Sequence, residues 1–160
     1  MITDAQTDTT TLVSKGDKPP IFRCTTIEGK VFDLSLLEGK VILINFFATW
    51  CPPCNLELPA LQKNIWDKYR SDPNFALIIL GREHNDKEVT DFVRSKGYTM
   101  PFAADPARSV YKLFATQYIP RNVLIGRNGI VVFQNRGYTA EEFKQIEELI
   151  AKELNSNPTN

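Results

Sequence analysis

Long hydrophobic runs, an excess of charge of either sign and cysteine in quantity are all missing from this sequence, and each absence removes a class of function. No apolar run approaches the roughly 18 residues that span a bilayer, and the start Met1-Ile2-Thr3-Asp4 lacks the charged-then-apolar order of an export signal. No membrane contact is expected of the chain as it stands. Nineteen Lys and Arg residues balance nineteen Asp and Glu residues. No positive field therefore exists to draw a phosphate backbone or anionic headgroups, and nucleic acid is not an expected partner. Three cysteines are too few to staple a domain of 160 residues. With 42% hydrophobic residues the chain is long enough for one buried core and short for two domains.

The first 18 residues are rich in Thr, Asp and Ser and poor in large apolar groups, so residues 1–18 read as a flexible leader. A domain over 19–154 and a flexible tail over 155–160 follow. Residues 21–25 and 31–32 around Glu28-Gly29-Lys30 predict a short N-terminal hairpin. Val41-Ile42-Leu43-Ile44-Asn45-Phe46-Phe47-Ala48 is nearly unbroken in its apolarity, as a central strand covered on both faces must be. Beyond Pro53, apolar residues recur at Cys54, Leu58, Leu61, Ile65 and Tyr69, the spacing of one helix face, with Pro59 expected to bend the helix without ending it. Residues 75–80 give a second buried strand, parallel to the first. Helices are expected over 86–95, ended by Gly97, and over 106–114. Strands over 123–126 and 130–134 flank the turn signal Asn128-Gly129, and a closing helix over 139–154 starts with Thr139 and Glu142 as a capping box. The fold class is α/β: a mixed central sheet with helices on both faces and an N-terminal hairpin extension.

The chemistry gathers at Trp50-Cys51-Pro52-Pro53-Cys54. A thiolate is the nucleophile of disulfide exchange, and a helix start stabilises it with unsatisfied amides. Cys51 lies there, at the carboxyl end of the central strand, where open α/β sheets place reacting groups. Cys54 returns to the same face and can attack a mixed disulfide at Cys51, so one is read as nucleophile and the other as resolver. A zinc site would need two more ligands, and only Cys24 and His84 remain, at unpaired positions; no metal is expected. Haem attachment requires His after the second cysteine, and position 55 is Asn. No cofactor is called for. Pro52 and Pro53 carry no N–H, which removes two donors that would stabilise a thiolate and favours a reductant over an oxidant.

Phe46-Phe47-Ala48-Thr49-Trp50-Cys51-Pro52-Pro53-Cys54, with Glu57 and Pro59 behind it and Ile119-Pro120 about 65 residues on, resembles the TlpA/ResA-type branch of thioredoxin-like proteins, within the AhpC/TSA-thioredoxin superfamily. The resemblance runs over residues 16–154. It implies a thioredoxin-like fold, a cis bond between Ile119 and Pro120 facing the cysteines, and an active-site role for Glu57 in carrying a proton. It also implies a reductant of disulfides in exported proteins. Its partners would be a disulfide-bearing protein substrate and an upstream dithiol donor. The resemblance places such proteins outside the cytoplasm, periplasmic or membrane-tethered, and this chain shows no tether that decides the compartment. A monomer is expected.

Trp50 then forms the apolar wall of a redox surface shared with Pro52, Pro53, Ile119 and Pro120. Glu57 also has a plainer reading, as an acid in the first helical turn. His84, after Arg82 and Glu83, falls on the same sheet edge as Cys51, but a lone His in a polar loop is commonly a solvated residue. Asn45 in an apolar strand must find a partner. Cys24 reads as a small buried hydrophobe. Two rival functions remain. A peroxiredoxin-like peroxidase lacks its Pro-x-x-x-Thr-x-x-Cys frame at all three cysteines. A non-catalytic binding module on the same fold has no use for two thiols at resolving distance.

Overall fold

Residues 8–157 are described by a computed structural model. Five strands form one mixed sheet in the order β5-β4-β3-β6-β7, and β1 (Arg23–Thr25) and β2 (Val31–Asp33) form a separate antiparallel hairpin. The central strand β3 (Val41–Phe47) is wholly buried and runs parallel to β4 (Phe75–Arg82), which is parallel in turn to β5 (Phe102–Asp105). On the other side β3 pairs antiparallel with β6 (Arg121–Ile125), and β6 with β7 (Val131–Arg136). The continuous apolarity of 41–48 is the consequence of having covered faces on both sides of the sheet.

Side-chain alternation along β3 divides the core in two. Val41, Leu43 and Phe47 pack with Leu58, Leu61, Val89, Phe143, Ile146 and Ile150. These last come from α1 (Pro52–Ala60), the turn that follows it, α3 (Asp86–Lys96) and α5 (Ala140–Leu154). Ile42, Ile44 and Phe46 face the other way, onto Val13, Phe22, Leu34, Tyr111 and Phe114. That second face is covered by the short helix α4 (Tyr111–Phe114) and the N-terminal segments. Pro59 does not end the first helix: the chain widens into a π-helical turn (Leu61–Trp66) and continues as α2 (Asp67–Tyr69). A residue without N–H removes one α-type bond, and the wider turn accommodates the loss.

Three features differ from the sequence reading. β5 was not foreseen, being four residues between prolines 101 and 106. The helix expected over 106–114 is confined to Tyr111–Phe114, because the Asp105 carboxylate accepts the N–H groups of Val110 and Tyr111 and starts the turn there. The expected flexible leader is, from residue 8 on, fastened to the body. Val13 is buried, Thr11 bridges Ala115, and Leu12 N–H and Gly16 N–H donate to the carbonyls of Phe114 and Val131. Polar residues that bury little apolar area are held here by hydrogen bonds, a source of order that composition does not display. Residues 1–7 lie outside the described residues. In the expected tail, Asn155 N–H bonds the Ala151 carbonyl and the Ser156 carbonyl accepts from Arg127, while residues 158–160 lie outside the described residues.

Candidate active site

Cys51 is the N-cap of α1, in extended conformation, with Pro52 and Pro53 as the first helical residues. Proline suits that place, since its fixed φ matches the helix and its missing N–H would have had no partner. Cys51 and Cys54 are joined as a disulfide. Both are buried, at 3% and 1% exposure, but only Cys51 lines the adjoining cleft. The Cys51 Sγ accepts the N–H of Cys54 at 3.3 Å. The Asn55 N–H goes instead to the Cys51 carbonyl, and the Asn55 side chain donates to the carbonyls of Thr49 and Cys51, each at 3.0 Å, tying the loop to the helix.

Trp50 is 65% exposed, and Pro52 and Pro53 are exposed beside it. The Ile119–Pro120 bond is cis, as the resemblance implies. With Cys51, Arg82, Arg108, Gln117 and Tyr118, the residues Trp50, Pro52, Pro53 and Ile119 line a cleft of ≈ 420 Å³. The Cys51 Sγ lies 3.9 Å from the Ile119 carbonyl oxygen. Of the residues singled out from the sequence, Pro120 is buried behind the cleft and Glu57 is buried beneath the helix.

Glu57 sits at 1% exposure in a polar layer that crosses three strands. Asn45 pairs with Asn122 across β3 and β6, and Asn122 with Asn135 across β6 and β7, so the three amides stand side by side. Asn45 Nδ2 donates to Glu57 Oε1 at 2.7 Å and to Asn122 Oδ1 at 2.9 Å, and Asn122 Nδ2 donates to Glu57 Oε2 at 2.9 Å. Burial pushes the Glu57 carboxyl up to about 7, against the pull of the bonds from Asn122 and Asn45 and with a small push from Glu142. Such a group changes charge near neutral pH, which suits proton transfer. Asn45 was expected to need a partner. Asn122 and Asn135 were not foreseen, and the signal that finds them is the register that sets them level with Asn45.

His84 is not solvated. It is buried, its Nε2 accepts the N–H of Thr49 at 2.9 Å, and its Nδ1 lies 3.2 Å from Glu88 Oε2. An imidazole that accepts at Nε2 carries its proton on Nδ1 and donates it to the carboxylate. The Asn85–Glu88 capping box at the start of α3 holds that carboxylate in place. His84 thus fixes the backbone two residues before Cys51. Cys24, half-buried in β1, has its thiol pushed up to about 11 by burial and by the charge of Asp105. Arg121 is buried and directs its guanidinium at the Gln117 and Tyr118 carbonyls and at Thr10 and Thr11, with no hydrogen bond to either active-site cysteine.

Comparison with known proteins agrees with this geometry. The Redoxin family model matches residues 14–150. The chain is 32% identical over 137 residues to the thiol-disulfide oxidoreductase ResA of Bacillus anthracis, covering 86% of this chain and 77% of that protein. A candidate protein disulfide isomerase from Bacteroides thetaiotaomicron, known from its solution structure, is 36% identical with a TM-score of 0.88, over 92% of this chain and 94% of that one. A candidate thiol:disulfide interchange protein DsbE from Chlorobium tepidum is 27% identical with a TM-score of 0.78, over 89% and 99%.

Proposed function

The chain belongs to the redoxin family and is a thiol-disulfide oxidoreductase of thioredoxin-like fold, and from that premise we propose that it reduces disulfides with Cys51 as nucleophile and Cys54 as resolver. The observation that carries this is the Cys51–Cys54 pair at the start of α1, with Cys51 alone opening on the cleft. The Cys51 thiolate attacks one sulfur of the substrate disulfide, and the other sulfur leaves as a thiolate. Cys54 then loses its proton and attacks the Cys51 sulfur, releasing the second substrate thiol and leaving the Cys51–Cys54 disulfide. Two electrons pass to the substrate, and an upstream dithiol restores the pair. Glu57, buried behind the helix with a carboxyl that titrates near neutrality, takes and returns the proton of Cys54.

Direction follows from the donors around sulfur. A strong oxidant holds its nucleophile as a thiolate with several donors. Here Pro52 and Pro53 offer none, the Asn55 N–H is used by a carbonyl, and Arg121 points elsewhere. Cys54 N–H is the donor that meets Cys51 Sγ. The couple therefore sits nearer the roughly −270 mV of thioredoxin than the roughly −120 mV of a strong oxidant. Among the described residues no helix is long and apolar enough to cross a membrane. The family resemblance supports work outside the cytoplasm, on exported proteins. Labelling of Cys51 in intact cells by a membrane-impermeant maleimide tests the compartment. Insulin reduction by the wild-type chain, with Cys51→Ser as control, tests the activity: loss of reduction in the variant is expected, and retained reduction overturns the proposal.

A further inference from the structure

Arg82 ends β4 on the sheet edge that also carries Cys51, and it lines the same cleft. Arg82 is 8% exposed, its Nε is buried without a hydrogen-bond partner, and among the described residues it makes no ion pair. The carboxylate paired with it across β4 and β5, Asp105, keeps its charge but directs its oxygens at the N–H groups of Val110 and Tyr111 and makes no ion pair with Arg82. What Arg82 has is the face of Tyr111, whose ring centroid lies 5.0 Å from its Cζ. The same ring lies 5.5 Å from the Cζ of Arg108, a second lining residue, whose charge is met by Glu83 at 2.8 Å. One guanidinium at this cleft is thus held in an ion pair, and the other has a buried Nε with no acceptor. A nearly buried guanidinium whose Nε has no acceptor gains from an anion that supplies one.

We propose that the cleft beside Cys51 has an anion subsite centred on Arg82, which selects disulfides bearing a carboxylate close to the half-cystine. This deepens the disulfide-exchange reading and rests on it. The rigid fork of a guanidinium suits a carboxylate, and a charge-assisted bond at a shielded position discriminates well against the amide of equal shape. Trp50 and Ile119 supply the apolar remainder of the cleft, so the preferred substrate pairs one acidic group with apolar surface. A carboxylate of this kind is found on an acidic peptide and on glutathione.

The test uses the full chain, reduced beforehand, mixed with two peptide disulfides that differ only in Glu or Gln beside the half-cystine. Rates are read by quenched-flow chromatography and divided by those of free dithiothreitol, which meets the same leaving group and no arginine. The Glu peptide is expected to react about ten- to hundredfold faster, the range of a hydrogen bond to a charged group. Arg82→Gln should collapse the ratio to near one, and Arg82→Lys, which keeps the charge without the fork, should fall between. Glutathione disulfide against its ester separates the two sources: a preference confined to peptides marks a protein substrate, and one confined to glutathione marks the small thiol. Equal normalised rates in both comparisons with the wild-type chain overturn the subsite, whatever the variants do. Failure to reduce even the Gln peptide overturns the exchange reading instead.

Discussion

Replacing Glu57 by Gln removes a charge from the protein interior, and its consequence can be worked out as a function of pH. The folded-state carboxyl titrates at about 7 against an ordinary value of 4.5. Because the folded value is raised, the folded chain holds its proton more tightly than the unfolded chain does, and the ionised form opposes folding. Below 4.5 both states are protonated and the group contributes nothing. The cost grows as pH rises from 4.5 and is complete above about 7, where it reaches about 3 kcal/mol. Glu57→Gln escapes that cost but presents one oxygen and an NH2 where the carboxyl group, in either charge state, presents two oxygens to Asn45 and Asn122. Losing one such bond costs about 1 kcal/mol. The variant should be less stable than the wild type by about 1 kcal/mol at pH 4 and more stable by about 2 kcal/mol at pH 8. Urea denaturation of the oxidised protein at both pH values measures this. Parallel stability profiles for the two proteins between pH 4 and 8 would refute the account of a buried carboxyl that ionises in the folded state.

The same substitution should slow disulfide reduction and flatten its pH dependence near neutrality, read by insulin turbidity across pH; unchanged rates would leave Glu57 with no part in proton transfer. Cys54→Ser should accumulate a mixed disulfide between Cys51 and substrate, visible by mass spectrometry, and its absence would count against the assignment of resolver. Equilibration with glutathione buffers should give a potential below about −180 mV, and a higher value would refute the reductant direction. His84→Phe leaves the Thr49 N–H without an acceptor and should cost about 1–3 kcal/mol in urea denaturation, with no loss if that bond is immaterial. Cys24, with its thiol at about 11, should resist iodoacetamide at pH 8 in the folded oxidised protein; fast labelling would contradict its burial.

The elements that carry the site were legible where the chain repeats a simple period. The apolar run that became β3 and the helical spacing from Cys54 to Tyr69 each encode their own burial, and together they put Cys51 at a helix start. What escaped the sequence depends on residues far apart. The burial of His84 is decided by the backbone of Thr49, which lies 35 positions earlier and meets it only when β3 and β4 lie side by side. Asn122 and Asn135 gain meaning only from strand register, since neither neighbouring sequence marks them. Arg82 reads as one more charge in a polar loop until the strand is seen to carry it under cover. β5, four residues long, has too few positions to show alternation, and it is specified by pairing with β4.

Arg121 joins two parts of the chain that share no strand. Its guanidinium grips the Gln117 and Tyr118 carbonyls, on the loop that walls the cleft, and also Thr10 and Thr11 in the N-terminal segment. Residues 10 and 11 therefore brace the wall beside Cys51 through a cation that is rooted in β6 of the central sheet. Transplanting residues 19–154 into another protein would carry both cysteines and every strand of the central sheet, yet it would strip this cation of its threonine partners and slacken that wall. The cleft wall is thus braced from a segment that contributes no side chain to its lining.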